Sequence, residues 1–371
     1  MKAKIMILIS ISIITLIHCE KKEIIPSKVI AIDENKAAKV TFTLIKRLEI
    51  SDIQSPKIAL QEGGNVYVYG NSLQKGKKNF LVNIYNRELE FVSQKQFQLG
   101  QGPGDVGLTN IISPFKDNIY ICENSNLRVS IYDGDFKYIK FISYGNSRFY
   151  PFELINEGRH FITWTTVDER NLEAISFLLG SFPTMKAKEY YRTEFYSIYD
   201  SKHRVLLGEN TEHSFFFKMD FIYLLIPQKY HILKFDLKGK KVGELIAKVK
   251  AIETDEDLTA QFLEEQGYKG NKYKFRFSNV VTQTSFMVPL RNGFVVPRRK
   301  NYSIKCQDST EGDYFSYQLE FKGKVALPCF YNMFKIALGN PIISTKNDST
   351  YLYLLNEVEE NFILEKWEVS E

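Results

Sequence analysis

Catalytic hardware is sparse in this chain of 371 residues, which has only five histidines, four cysteines, six methionines and two tryptophans. His18, His160, His203, His213 and His231 are scattered, without the i, i+4 spacing that presents a zinc site on a helix. There is no C-x-x-C pair, no Gly-x-Ser-x-Gly elbow and no Gly-Lys-Ser/Thr phosphate loop, so redox, serine-hydrolase and phosphate-loop chemistry find no support. Glu123, Asp168 and Glu169 stand in no pattern that marks an acid/base pair. An excess of one charge is missing too. The 49 basic residues against 44 acidic ones give a net +5, too even for the basic stripe that neutralises many phosphates, and nucleic acid is not an expected partner.

Aromatic residues, by contrast, are plentiful. The 22 Tyr and 28 Phe favour pleated, half-buried surfaces, and 44% hydrophobic content supplies a sizeable core. Lys2 and Lys4 precede a thirteen-residue apolar run, Ile5 to Ile17, interrupted by Ser10, Ser12 and Thr15. This is shorter than the about 20 residues a membrane helix needs and fits the apolar region of an export signal. Ordinary secretion and an uncleaved anchor are the alternatives. Loss of residues 1–18 leaves 47 basic residues against the same 44 acidic ones, a net of +3. Residues 19–40 are charged and lack sustained periodicity, which reads as a tether.

From residue 41 to 371 a strand-like phrase recurs. Copies begin at Val66, Ile119, Phe161, Ile222, Phe294 and Tyr351, at spacings of 53, 42, 61, 72 and 57 residues. Four short strands plus loops occupy such a length, which is one propeller blade. Alternating runs such as Arg128–Asp133 and His231–Asp236 follow, closed by hairpin signals at Asp133-Gly134-Asp135 and Lys238-Gly239. The expected fold is all-β, a six-bladed β-propeller, with the early strand Thr41–Ile50 completing the last blade beside Phe362–Val369. A pair of β-sandwich sheets is the rival. One short inserted helix is expected over residues 253–267, which open on acidic residues and stop at Gly267. The basic, aromatic stretch 268–277 follows it, either capping the channel mouth or lying as a solvated loop and edge strand.

Two resemblances add to this reading. Leu16-Ile17-His18-Cys19 resembles the lipobox of bacterial lipoproteins, with His18 where the pattern has a small residue; it implies lipidation of Cys19 and a membrane partner through that anchor. Gly100-Gln101-Gly102-Pro103-Gly104-Asp105, followed by Asn118-Ile119-Tyr120-Ile121 and Asn126-Leu127-Arg128-Val129, resembles the NHL-type repeat of six-bladed propeller lipoproteins. The match covers about residues 97–142, with Glu123 where that phrase usually has Asp. The same glycines satisfy G-x-G-x-x-G, but Pro103 and β-prone neighbours preclude the helix a dinucleotide site requires.

Candidate ligand contacts are Asn126, Arg128, Arg298 and Arg299. The resemblance implies a structural role for the first pair, tying turns between strands, and the second pair could meet an acidic ligand or sit on a solvated turn. Of the cysteines after Cys19, Cys306 and Cys329 could form one disulfide, while Cys122 lies in an apolar strand pattern. The resulting expectation is a lipid-anchored binding or scaffolding module of the bacterial envelope. Its ligand, an envelope protein or a small molecule, is unspecified by the sequence, as is any cofactor. The alternative, by fold analogy alone, is a metal-assisted lactonase or lyase.

Overall fold

Strands that bury both faces read as continuous apolar runs, and the recurring phrases do so because each is sandwiched between two neighbouring sheets. The computed structural model describes residues 28–371 apart from 34, 62–63, 73–78, 108–109, 124, 145–149, 156–157, 170–171, 196–198, 201–204, 208–213, 227–229, 250–273, 277–286, 299–309, 329–341, 347–348 and 359–360. The expected helix, Arg299 and the Cys306–Cys329 pairing therefore lie outside the described residues, as does Cys19.

Six antiparallel sheets form the ring. Blade 1 runs Ile53–Leu60, Val66–Ser72, Asn79–Tyr85, Phe91–Gln98; blade 2 runs Asn110–Phe115, Asn118–Glu123, Arg128–Asp133, Tyr138–Ser143. Blade 3 follows with Tyr150–Ile155, His160–Glu169, Leu172–Ser181, Lys186–Phe195, and blade 4 with Ser214–Lys218, Phe221–Ile226, His231–Asp236, Lys241–Lys248. Blade 5 has Val288–Pro289, Gly293–Arg298, Thr310–Ser316, Phe321–Leu327. In blade 6, Ile342–Lys346, Ser349–Val358 and Asn361–Ser370 are completed by Thr41–Ile50, which pairs antiparallel with the last of them. Every recurring phrase is the second strand of a blade. The first strands of blades 5, 6, 1, 2 and 3 touch in succession, which puts the first strands on the axial side of the ring.

Alternation links each blade to both neighbours. Ile119 and Ile121 pack with Tyr67 and Val82 of blade 1, whereas Tyr120 and Cys122, one residue on, pack with Phe161 of blade 3. Leu352 and Leu354 likewise face Val295 of blade 5, and Tyr353 and Leu355 face Val66 of blade 1. Six apolar clusters, one per interface, result.

A device in the third-to-fourth-strand turns tightens these interfaces. Asn86, Asp133 and Asp236 each accept two backbone N–H bonds through the side-chain oxygen, from the residues two and four positions on. The residue three positions on takes a left-handed backbone: Leu89 (φ 55°), Phe136 (φ 63°) and Gly239 (φ 76°), with Leu319 (φ 61°) in the matching turn of blade 5. Leu89, Phe136 and Leu319 are buried, each against the preceding blade. Gly239 breaks the series because a Cβ there would lie 2.8 Å from Cβ of Tyr190 in blade 3. Tyr190 fills the gap, its ring 4.9 Å from that of Phe235.

Residues 28–40 depart from the expected tether. Lys28–Ala31 adds a fifth, parallel strand to the outer edge of blade 4, and Ile32 and Val40 are buried. Between them the chain bridges to blade 5, where Ala38 N–H donates to the Lys324 carbonyl (2.7 Å) and Lys324 N–H to that of Lys36 (2.6 Å). Gly323 permits the approach, since a Cβ would lie 2.6 Å from the Ala37 carbonyl carbon. Charge and missing periodicity conceal this strap because main-chain pairing and two apolar side chains suffice to hold it.

A three-stranded patch lies outside the blades, formed by Tyr199–Asp200, Val205–Leu207 and Lys274–Arg276. The last belongs to the basic, aromatic stretch and pairs in parallel with Val205–Leu207.

Candidate functional site

The glycine-rich phrase connects the outer strand of blade 1 to the inner strand of blade 2. Its turn is self-supporting: the Asp105 carboxylate accepts the Gly102 N–H (3.0 Å), and Gly104 takes a left-handed φ of 82°. A Cβ on Gly100 would press on that carboxylate and displace it from the Gly102 N–H.

Glu123, at the end of the second strand of blade 2, is the hub that receives the loop. It is fully buried, and its Oε2 accepts from Gly107 N–H (3.0 Å), Asn126 Nδ2 (2.7 Å) and Arg128 Nε (3.0 Å), while Ser130 Oγ donates to Oε1. Arg128 is held on the remaining sides. Its Nη1 donates to the Gln101 carbonyl (2.9 Å) and its Nη2 to those of Asp105 (2.9 Å) and Gly102 (3.2 Å), with the guanidinium 5.2 Å from the Phe141 ring centre. Asn126 also donates to the Gly100 carbonyl (2.9 Å). A buried charge survives in low dielectric when it is paired and hydrogen-bonded, and here one ion pair also supplies the loop with its donors. Asn126 and Arg128 thus clasp the chain between two blades. Cys122, adjoining the hub, has its thiol pushed up to about 12 by burial first and the Glu123 charge second. A thiol so protonated is a poor nucleophile.

Blade 5 repeats the position with the charges exchanged. Arg298 ends the second strand as Glu123 does, and fully buried Asp313 occupies the place of Ser130, two residues further along the pairing. Arg298 Nε donates to Asp313 Oδ2, as does the hydroxyl of Tyr230, which comes from blade 4. Burial and the Asp313 charge hold the Tyr230 hydroxyl well above its ordinary pKa, so it remains a donor. Arg298 accordingly belongs to an inter-blade cluster.

Sequence reasoning missed Asp313 and Tyr230 and undervalued Glu123. The available signal was a carboxylate at an inward-facing place in an apolar strand: Glu123 closes Ile119-Tyr120-Ile121-Cys122, and Asp313 precedes Tyr314-Phe315. His231 lies on the third strand of blade 4 with Nε2 2.7 Å from Glu244 Oε1; His160 begins the second strand of blade 3. Neither is on an axial strand. Among the described residues no three His, Cys, Asp or Glu side chains group as a metal site.

No family model and no curated protein matches the chain. Among solved structures, a member of the DUF4221 family from Bacteroides vulgatus aligns at 11% identity, covering 91% of this chain and 100% of its own, with a TM-score of 0.49. An exported-protein candidate from Bacteroides fragilis aligns at 12% identity over 93% and 100%, also with a TM-score of 0.49. The hydrazine synthase of Kuenenia stuttgartiensis reaches 0.39 at 12% identity over 82% and 78%. At these scores the likenesses assign neither family nor activity.

Proposed function

We propose that the chain is an exported, lipid-moored propeller that serves the bacterial envelope as a binding or scaffolding module, for an envelope protein or a small molecule. The observation that carries this reading is the commitment of its most conspicuous polar groups to the ring itself. Glu123, Asn126 and Arg128 hold the loop between blades 1 and 2, and Arg298 joins blades 4 and 5 through Asp313 and Tyr230. Such a body is a rigid support for its loops, which is where a scaffold makes contact. The leader and Cys19 supply the mooring, since two or three acyl chains anchor stably at about 0.8 kcal/mol per buried methylene.

Intact-mass spectrometry of detergent-extracted protein tests it. The expected species begins at position 19 and carries the mass of a diacyl or triacyl modification, and Cys19→Ala shifts the protein from the membrane to the soluble fraction. An unmodified mature chain, or a membrane-bound Cys19→Ala variant, overturns the mooring.

A further inference from the structure

The outer edges of the ring differ in charge from one side to the other. On the outer strands and preceding turns of blades 3, 4 and 5, together with the strap, ten described basic side chains are exposed against three acidic ones. Blade 4 and the strap contribute Lys238, Lys240, Lys248, Lys28, Lys36 and Lys39. Two of the three acids are already paired with rim bases, Glu189 with Arg192 (2.9 Å) and Glu320 with Lys322 (2.7 Å). The same elements of blades 6, 1 and 2 expose three basic and four acidic side chains. Among the described side chains of these outer edges the positive excess is therefore confined to half the ring, although the chain as a whole is nearly balanced.

The chain also enters the ring on that half. Lys28 lies on the outer edge of blade 4, and eight residues separate it from Cys19. Fully extended, the nine steps from Cys19 to Lys28 span at most about 32 Å. An anchor at Cys19 thus limits how far the edge of blade 4 can stand from the bilayer and sets no such limit directly on blade 1, three blades away around the ring.

We propose that the outer edge of blade 4, with the flanking edges of blades 3 and 5, docks on an anionic lipid surface. This deepens the mooring reading and rests on it for the choice of edge. Each lysine near an anionic surface adds to the attraction, and the whole effect is screened within a Debye length. A lipid anchor and a basic patch together hold a protein more firmly than either alone. The docked ring stands on its rim, so that its two loop-bearing ends face sideways along the membrane and stay open to partners.

The test uses the mature chain from Glu20, made without lipid and retaining every described residue, mixed with phosphatidylcholine vesicles with or without phosphatidylglycerol. Co-sedimentation is expected only with phosphatidylglycerol, is lost in high salt, and falls by about tenfold or more in Lys238→Glu/Lys240→Glu. The control Lys137→Glu/Lys140→Glu, on blade 2, retains it. Binding to neutral vesicles, no binding to either kind, or equal loss in both variants overturns the docking. Circular dichroism of each variant confirms that it is folded. Because this protein carries no acyl group, the result is independent of whether Cys19 is lipidated in the cell.

Discussion

A chain shortened to begin at Ser51 is expected to show no cooperative unfolding transition, whereas one beginning at Lys39 keeps its transition at reduced stability. The difference lies in what the two segments close. Thr41–Ile50 is the fourth strand of blade 6, paired along its length with the last strand of the chain. It buries Ile50, partly buries Phe42 and Leu48, and covers Leu364 and Val369 in the clusters that join blade 6 to blades 5 and 1. At about 1.5–3 kcal/mol for each large apolar side chain, removing this strand forfeits an amount comparable to the whole 5–15 kcal/mol margin of a typical domain. The strap is less consequential. Its largest buried side chain within residues 28–38 is Ile32, so its loss is expected to lower stability by about 2–3 kcal/mol while the ring stays closed. Urea unfolding followed by near-ultraviolet circular dichroism distinguishes the cases. A cooperative transition in the chain beginning at Ser51 would show that the strand is dispensable.

Glu123→Ala is expected to cost about 3–5 kcal/mol, the range for removing one partner of a buried pair. The substitution leaves the Arg128 guanidinium buried beside a void, and it removes the carboxylate that Gly107 N–H, Asn126 Nδ2 and Ser130 Oγ share. Glu123→Gln retains one acceptor oxygen and the side-chain volume, so a smaller loss is expected. The urea midpoint should fall in that order with little change in slope, because the fold exposes similar surface on opening. A midpoint for Glu123→Ala equal to that of the unsubstituted protein would remove the clasp from the account. Arg128→Ala is expected to lie in the same range, and the double variant to cost less than the sum of the two.

The six second strands were legible in the sequence because burial on both faces leaves polar residues almost no place in them. The closing strand was legible for a related reason, since a ring of wedges without a join would leave one apolar face bare. The third-to-fourth-strand turns were legible only in part. Asp133-Gly134-Asp135 marks a hairpin correctly, but the left-handed residue is Phe136, not the glycine. A left-handed L-residue costs about 1–2 kcal/mol, and burying a side chain such as Leu89 or Phe136 against the preceding blade returns about 1.5–3 kcal/mol. Local propensity alone could not reveal that exchange. The candidate site shows the same limit: Asn126 and Arg128 were picked out by the motif they resemble, whereas Asp313 meets Tyr230 only because blades 4 and 5 are adjacent in space. The strap was hidden because most of its bonds to the blades are made by main chain, which has no signature in residue type.

The ring of six blades is joined by the two ends of the chain, and a cross-link across that join tests the closure directly. Thr43 and Glu368 are partners in the pairing of the first and last strands of blade 6, at a separation that suits a disulfide. In the variant Thr43→Cys/Glu368→Cys, mild oxidation is expected to form one bond within a single chain, found by peptide mapping on a protein of monomer mass. A folded variant in which positions 43 and 368 remain unlinked, or link only between two copies, would contradict the closed ring.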